Sequence, residues 1–139
     1  MSTLKVNTVQ HNTSGFNNVV QFTDAAGTEN GILCRARCNF QGNGTAAIRD
    51  DFNVSTITDN GTGDYTVAWT NSFPDTNYTV VFGGYNTYAG DGSWNAIGSQ
   101  NSSNLWPTNV ATTSIRINCF DNSGNAQDQN AVMFAAFGD

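Results

Sequence analysis

Between Phe40 and Phe82, apolar and polar residues alternate in short runs, and each run stops at a glycine-rich turn. Tyr65, Val67 and Trp69 fall on one side of an extended chain and Thr66, Ala68 and Thr70 on the other, because successive strand side chains point to opposite faces. Tyr78, Val80 and Phe82 repeat the pattern. Asn43-Gly44 and Asn60-Gly61 separate these runs and supply the positive φ angles that tight hairpins need. The stretch reads as an antiparallel meander with one apolar face. Phe52, Val54 and Ile57 break strict alternation, since Ile57 has the opposite parity; a bulge or strand end near Ser55-Thr56 would account for it. Phe73-Pro74-Asp75 reads as a turn, with Pro74 fixing φ.

The pattern continues on both sides. Ile32, Cys34, Ala36, Cys38 and Phe40 share one face of a predicted strand, with Leu33, Arg35, Arg37 and Asn39 on the other. The two arginines are expected to pair with Asp50, Asp51 or a neighbouring subunit. Thr113 to Phe120 alternates again, with Ile115, Ile117 and Cys119 together. Ala131 to Phe137 is apolar on both parities, as in a strand covered on both sides. One side would meet the core, and the other needs cover that a neighbouring copy could give. Residues 1–30 differ: Leu4, Val6 and Thr8/Val9 suggest one short strand, Val19 to Phe22 a second, and Asp24 to Gly27 a turn. This segment is either an attachment element or an edge strand of the same domain. The predicted fold is an all-β antiparallel sandwich knob over residues 31–139, with a short N-terminal segment over 1–30.

Composition sharpens this picture. The chain has 139 residues, enough for one domain. It holds three leucines, one lysine and one glutamate against many Thr, Val, Asn and Phe, which favours strands over helices. Hydrophobic residues make up only 38%, so the core is expected to be thin and oligomerisation would help it. The net charge of −6 argues against nucleic acid, which calls for a basic stripe. The start is polar and no apolar run is long enough to cross a membrane, so assembly in a cytoplasm is expected. Cys34, Cys38 and Cys119 form no disulfide framework; Cys34 and Cys38 on one strand face would lie about 13 Å apart, too far to bridge.

The run from Ala47 to Val67, Ala-Ile-Arg-Asp-Asp-Phe-Asn-Val-Ser-Thr-Ile-Thr-Asp-Asn-Gly-Thr-Gly-Asp-Tyr-Thr-Val, resembles a segment common in tail-fibre and tail-tip proteins of marine and freshwater phages, including cyanophages. The opening from Ser2 to Val9 and the ending from Phe134 to Asp139 resemble the ends of the same proteins. The resemblance covers a third to half of the chain and leaves Gly83 to Gln129 unmatched; the long repetitive shaft of many relatives is missing. It implies a homotrimeric virion protein, joined to other tail or baseplate proteins through its N-terminal segment and binding a host cell-surface glycan. The alternatives are a structural virion part, such as a fibre adaptor or decoration protein, and a glycan-degrading tail spike.

Gly83 to Asn109 sets Tyr85, Tyr88, Trp94 and Trp106 among Gly, Ser and Asn, the composition of adaptable binding loops. These four aromatics, with Asn95, are the candidate receptor-binding residues; the competing reading is that they plug the end of the sandwich. Little points to catalysis. One histidine and one glutamate leave no material for His-based triads or Glu pairs. No zinc spacing, phosphate loop or dinucleotide fingerprint occurs, so no cofactor and no metal are expected. Asp59 and Asp64 bracket a hairpin, where they would either cap the turn or approach each other around calcium. The Asn-x-Ser/Thr sequons, such as Asn53-Val-Ser55, follow from an Asn- and Thr-rich composition.

Overall fold

The computed structural model describes residues 19–24, 27–85, 97–98, 110–121 and 123–138; for 19–24, 27–30, 85, 97 and 98 it describes the backbone alone. The described residues form strands and turns without helix. β1 (Val19–Asp24) and β2 (Gly27–Ile32) make a two-stranded antiparallel hairpin closed at the Asp24–Gly27 pair. The remaining strands form two four-stranded antiparallel sheets. The first contains β3 (Cys34–Gln41), β4 (Ala47–Phe52), β7 (Thr79–Tyr85) and β10 (Ala131–Phe137), in the order β4-β3-β10-β7. The second contains β5 (Val54–Gly61), β6 (Asp64–Trp69), β8 (Ile97–Gly98) and β9 (Ser114–Cys119), in the order β5-β6-β9-β8.

The alternation seen in the sequence is what joins the two sheets. Ala36, Cys38 and Phe40 on β3 and Val132, Phe134 and Ala136 on β10 are buried against Tyr65, Val67 and Trp69 on β6 and Ile115, Ile117 and Cys119 on β9. Taking each large side chain out of water stabilises the fold by about 1.5–3 kcal/mol. Asp51 and the outward Arg49 and Asp50 leave β4 wholly exposed as an edge strand. Val54 and Ile57 both reach the core because the ladder skips Ser55: Val54 pairs with Trp69, and Thr56 with Ala68. The expected bulge thus turns opposite parities onto one face.

Three expectations need correction. The stretch from Phe40 to Phe82 is not a single meander. Its two hairpins lie in different sheets, and the chain crosses between them at Asn53. Asn53 adopts a left-handed φ of 59°, which Asn tolerates better than most residues. Its side-chain amide donates to Asn71 O at 3.0 Å, and its Oδ1 accepts from Asn71 N at 2.7 Å, so the corner is clamped to the start of the next connection. Second, Ile32 does not belong to the core face of β3. It ends β2 and is 55% exposed, because the strand is interrupted at Leu33. Third, the turn signalled by Asn60-Gly61 has its tip at Thr62-Gly63. Gly61 instead lies at a second bulge, between Asp59 and Gly61.

Candidate functional site

One end of the sandwich gathers three connections: the β3–β4 turn at Gly42–Ala46, the β5–β6 turn at Thr62–Gly63, and the loop from Phe120 to Asn130. The first two exist because alternating strands stop at glycine. A buried polar network binds all three. Tyr65 is fully buried, and its hydroxyl lies 2.8 Å from Asp128 Oδ1 and 3.0 Å from Gly42 O. Asp128 Oδ1 also accepts from Gly63 N at 2.7 Å. Gly42 N and Asn43 N both donate to Gln129 O, at 2.9 and 3.0 Å. Cys119 N donates to Gly63 O, and Gln127 N to Cys119 O. Phe40 packs edge-on against the Tyr65 ring at 5.2 Å.

Two of these positions require glycine. A Cβ on Gly42 would lie 2.5 Å from the Tyr65 hydroxyl. One on Gly63, whose φ is +65°, would overlap Cys119 O and sit 2.7 Å from Gln127 N. The close approach of backbone at Gly63 is what lets Asp128 reach both its N–H and the Tyr65 hydroxyl.

Burial and hydrogen bonding also set the electrostatics. Burial, then the Asp128 hydrogen bond, raises the Tyr65 phenol well above its ordinary value. Burial pushes the Cys119 and Cys38 thiols up to about 12. The Arg116 guanidinium, with Nε 2.8 Å from Oδ1 and a second bond from its Nη2, holds the Asp64 carboxyl below the usual range. Asp121 is held low first by Asn125, whose side chain and N–H both bind it, so this carboxylate organises its own loop.

On top of this rigid base sit small uncharged groups. Asn43, Thr45, Asn60, Thr62, Ser123 and Asn125 are all exposed. Asn60 Nδ2 donates to Thr66 Oγ1 at 2.9 Å, and the Asn125 amide is spent on Asp121. The tip therefore offers amide and hydroxyl groups in part already oriented. Besides Asp121, the aspartates beside the β5–β6 turn are occupied: Asp59 Oδ1 accepts from Gly61 N, and Asp64 pairs with Arg116. They cap and brace the turn rather than face each other. Among the described residues no three His, Cys, Asp or Glu side chains converge on a metal site.

Of the sequence-predicted binding residues, Tyr88, Trp94, Asn95 and Trp106 lie outside the described residues, and Tyr85 is described by its backbone alone. The strand residues on either side, Tyr85 and Ile97, are described by their backbone. Tyr85 pairs with Ala131, and Ile97 with Cys119. Both pairs are at the tip end, beside the loop that holds Asp128. Tyr65 and Asp128, which organise this end, were not legible as a unit; they are 63 residues apart, and Asp128 sits in a run that reads only as a polar turn.

A second surface stands out on the outward face of the first sheet. Arg37 pairs in register with Phe52 on one side and Ala135 on the other, and Ala135 with Val81. Phe52 and Val81 are 55% and 54% exposed, and Met133 is 37% exposed. The strand from Ala131 to Phe137 thus buries Val132, Phe134 and Ala136 and turns Met133 outward. Arg37 bridges to Asp50 on this face, one of the partners expected for it.

Comparison with protein-family models, with curated proteins and with solved structures finds no match to this chain.

Proposed function

We propose that this protein is a phage tail-fibre or tail-tip adhesin that recognises a host surface polysaccharide. The observation that carries the reading is the tip. Three connections meet there beside Tyr85 of β7 and Ile97 of β8, on a base locked by the Tyr65–Asp128 network, and present uncharged amide and hydroxyl groups. Such groups donate to and accept from sugar hydroxyls, and a rigid scaffold under adaptable loops suits recognition. The resemblance of Ala47 to Val67 to tail-fibre segments points the same way. Tyr85, Tyr88, Trp94 and Trp106 are the aromatic anchors of this reading, with Asn95 as a polar contact; weak single contacts would gain from avidity in a homotrimer.

The outward face of the first sheet supplies a surface on which three copies could close. Exposed Val81 and Met133 beside a self-neutralised Arg37–Asp50 pair suit a symmetric contact. The same face favours a second reading, a structural virion component that binds its neighbours and no receptor. Presenting the purified protein to a glycan array and to bacterial envelopes separates the two. Retention by a polysaccharide, reduced by alanine at Trp94 or Trp106 without a change in melting temperature, supports the adhesin. Absence of retention together with a stable oligomer in light scattering supports the structural component, and release of reducing sugar would move the protein to the enzymes.

A further inference from the structure

At the end of the sandwich opposite the tip, a groove of about 810 Å³ opens beside the Asn53 corner. Leu33, Phe52 and Pro74 supply apolar walls, and Thr70, Asn71 and Ser72 supply the polar rim. We propose that this groove is a second ligand site, one that takes a single hexopyranoside residue. The sugar's C–H face would lie on Phe52, and its hydroxyls would meet the 70–72 rim.

The shape and the chemistry both lead there. The volume falls within the range of small-molecule clefts, roughly 300–1,000 Å³. The floor is preformed: the Asn53 amide and Asn71 backbone exchange two hydrogen bonds, and Thr70 N donates to Asn53 O at 3.2 Å. Arg35 Nη2 donates to Ser72 O at 3.1 Å, and its guanidinium covers the Phe73 ring at 5.1 Å, so the rim is held from below as well. A left-handed Asn at the rim of a cleft is the kind of backbone conformation that surrounding structure must enforce. Among the described residues no carboxylate lines the groove, and Arg35 is the charged residue of its lining. An exposed aromatic beside uncharged amide and hydroxyl groups matches a ligand with one apolar face and a ring of hydroxyls.

The competing occupant is an extended peptide added to the free edge of β4. That edge is guarded. A bulge interrupts its ladder with β3 at Asn39/Phe40, and Arg49, Asp50 and Asp51 stand along it. Strand addition is therefore the weaker fit.

The test is a titration of the full chain, followed by backbone amide chemical shifts, with methyl glucoside, methyl galactoside, glucuronate and an uncharged extended peptide. The proposal expects saturable shifts at Leu33, Phe52–Val54 and Thr70–Ser72 with at least one of the three sugars. Phe52→Ala should weaken that binding about tenfold, the scale of one lost aromatic contact. Because Phe52 is largely exposed, its melting temperature should hold; Thr70→Val, which removes one rim hydroxyl at constant volume, is the second variant should it not. Shifts confined to the tip, binding unchanged in both variants, saturation by the peptide alone, or no saturable shift at all would each overturn the site. Adsorption to envelopes by way of the tip is read separately, so failure of the groove leaves the adhesin reading standing.

Discussion

The two ends of the sandwich are closed by different chemistry. At the tip, a buried phenol, a carboxylate and backbone amides lock three connections through directional bonds. At the opposite end, aromatic rings do the work. Trp69 contacts Phe73, Tyr78 and Phe134 at 5.4, 6.0 and 5.9 Å, and Phe73 stacks on Tyr78 at 4.3 Å. Ring packing tolerates small shifts, since its energy is spread over area. The polar end tolerates them less well, because a displaced group becomes a buried unpaired donor or acceptor. A binding surface that must hold small polar groups in fixed positions is better built on the second kind of base.

The sharpest break of this comparison is steric. Trp69→Ala should cost about 3–5 kcal/mol, as expected for a nearly buried indole, and Gly63→Ala should be comparably severe although it adds a single methyl. Denaturant melts of the two variants measure this. The contrast lies in rescue: Trp69→Phe should recover much of the aromatic end, whereas no side chain fits at Gly63. A mild Gly63→Ala would show that the tip can relax, and the idea of a rigid base would fail.

A graded comparison uses the two buried tyrosines. Tyr65 bonds a carboxylate, while Tyr78 donates to the carbonyls of Ala111 or Ser114 at 3.0 and 3.1 Å. Bonds to charged acceptors are worth about 1.5–3 kcal/mol and neutral ones about 0.5–1.5. Tyr65→Phe should therefore destabilise more than Tyr78→Phe in matched urea titrations. Equal losses would mean that Asp128 finds water in place of the phenol.

How much of this was legible follows from where the determinants lie. Strand identity was readable wherever one face is buried: the alternation of Tyr65, Val67 and Trp69, and of Ile115, Ile117 and Cys119, is the core itself written with period two. Even the irregularity at Ile57 announced its bulge. Sheet membership was not readable, because the switch at Asn53 leaves no mark in the hydrophobic pattern; an Asn in left-handed conformation looks like any other Asn. Ile32 misled for the same reason, since parity continues across the break at Leu33 that the backbone does not honour. The tip network was hidden by distance along the chain. The turn signals pointed to Gly44 and Gly61, whereas the glycines whose lack of a side chain matters are Gly42, against Tyr65 and Gln129, and Gly63, against Cys119 and Gln127.

Alkaline pH gives a smaller, continuous handle. Cys38 and Cys119 ionise near 9 when unfolded and at about 12 when folded, and the Tyr65 phenol is likewise raised from 10.0. Between those values the unfolded chain has lost protons that the native state keeps. Stability is therefore complete below pH 9 and falls as pH rises. Melting temperatures should decline from about pH 9, and Cys119→Ala should flatten the first part of the decline. A flat profile up to pH 11 would mean these groups reach water in the native state.

The smallest effect belongs to the surface of the tip end, where Arg116 braces Asp64 from the neighbouring strand. The bond lowers the Asp64 pKa, chiefly through the guanidinium hydrogen bonds, so the folded chain holds this proton less tightly than the unfolded one. The sign is opposite to that of the phenol and thiols: the contribution is present above the ordinary value of 3.8 and lost as pH falls through the lower folded value. Arg116 is 42% exposed, so solvent screens the pair and its worth should be about 1 kcal/mol or less. Asp64→Asn should thus reduce stability slightly at pH 7, and parent and variant should converge toward pH 2. High salt should narrow the gap at pH 7 as well, while leaving the Tyr65→Phe penalty nearly unchanged, because that bond is shielded from solvent. If salt erased both penalties alike, the polar base of the tip would be wet, and the two ends of the molecule would differ less than their packing implies.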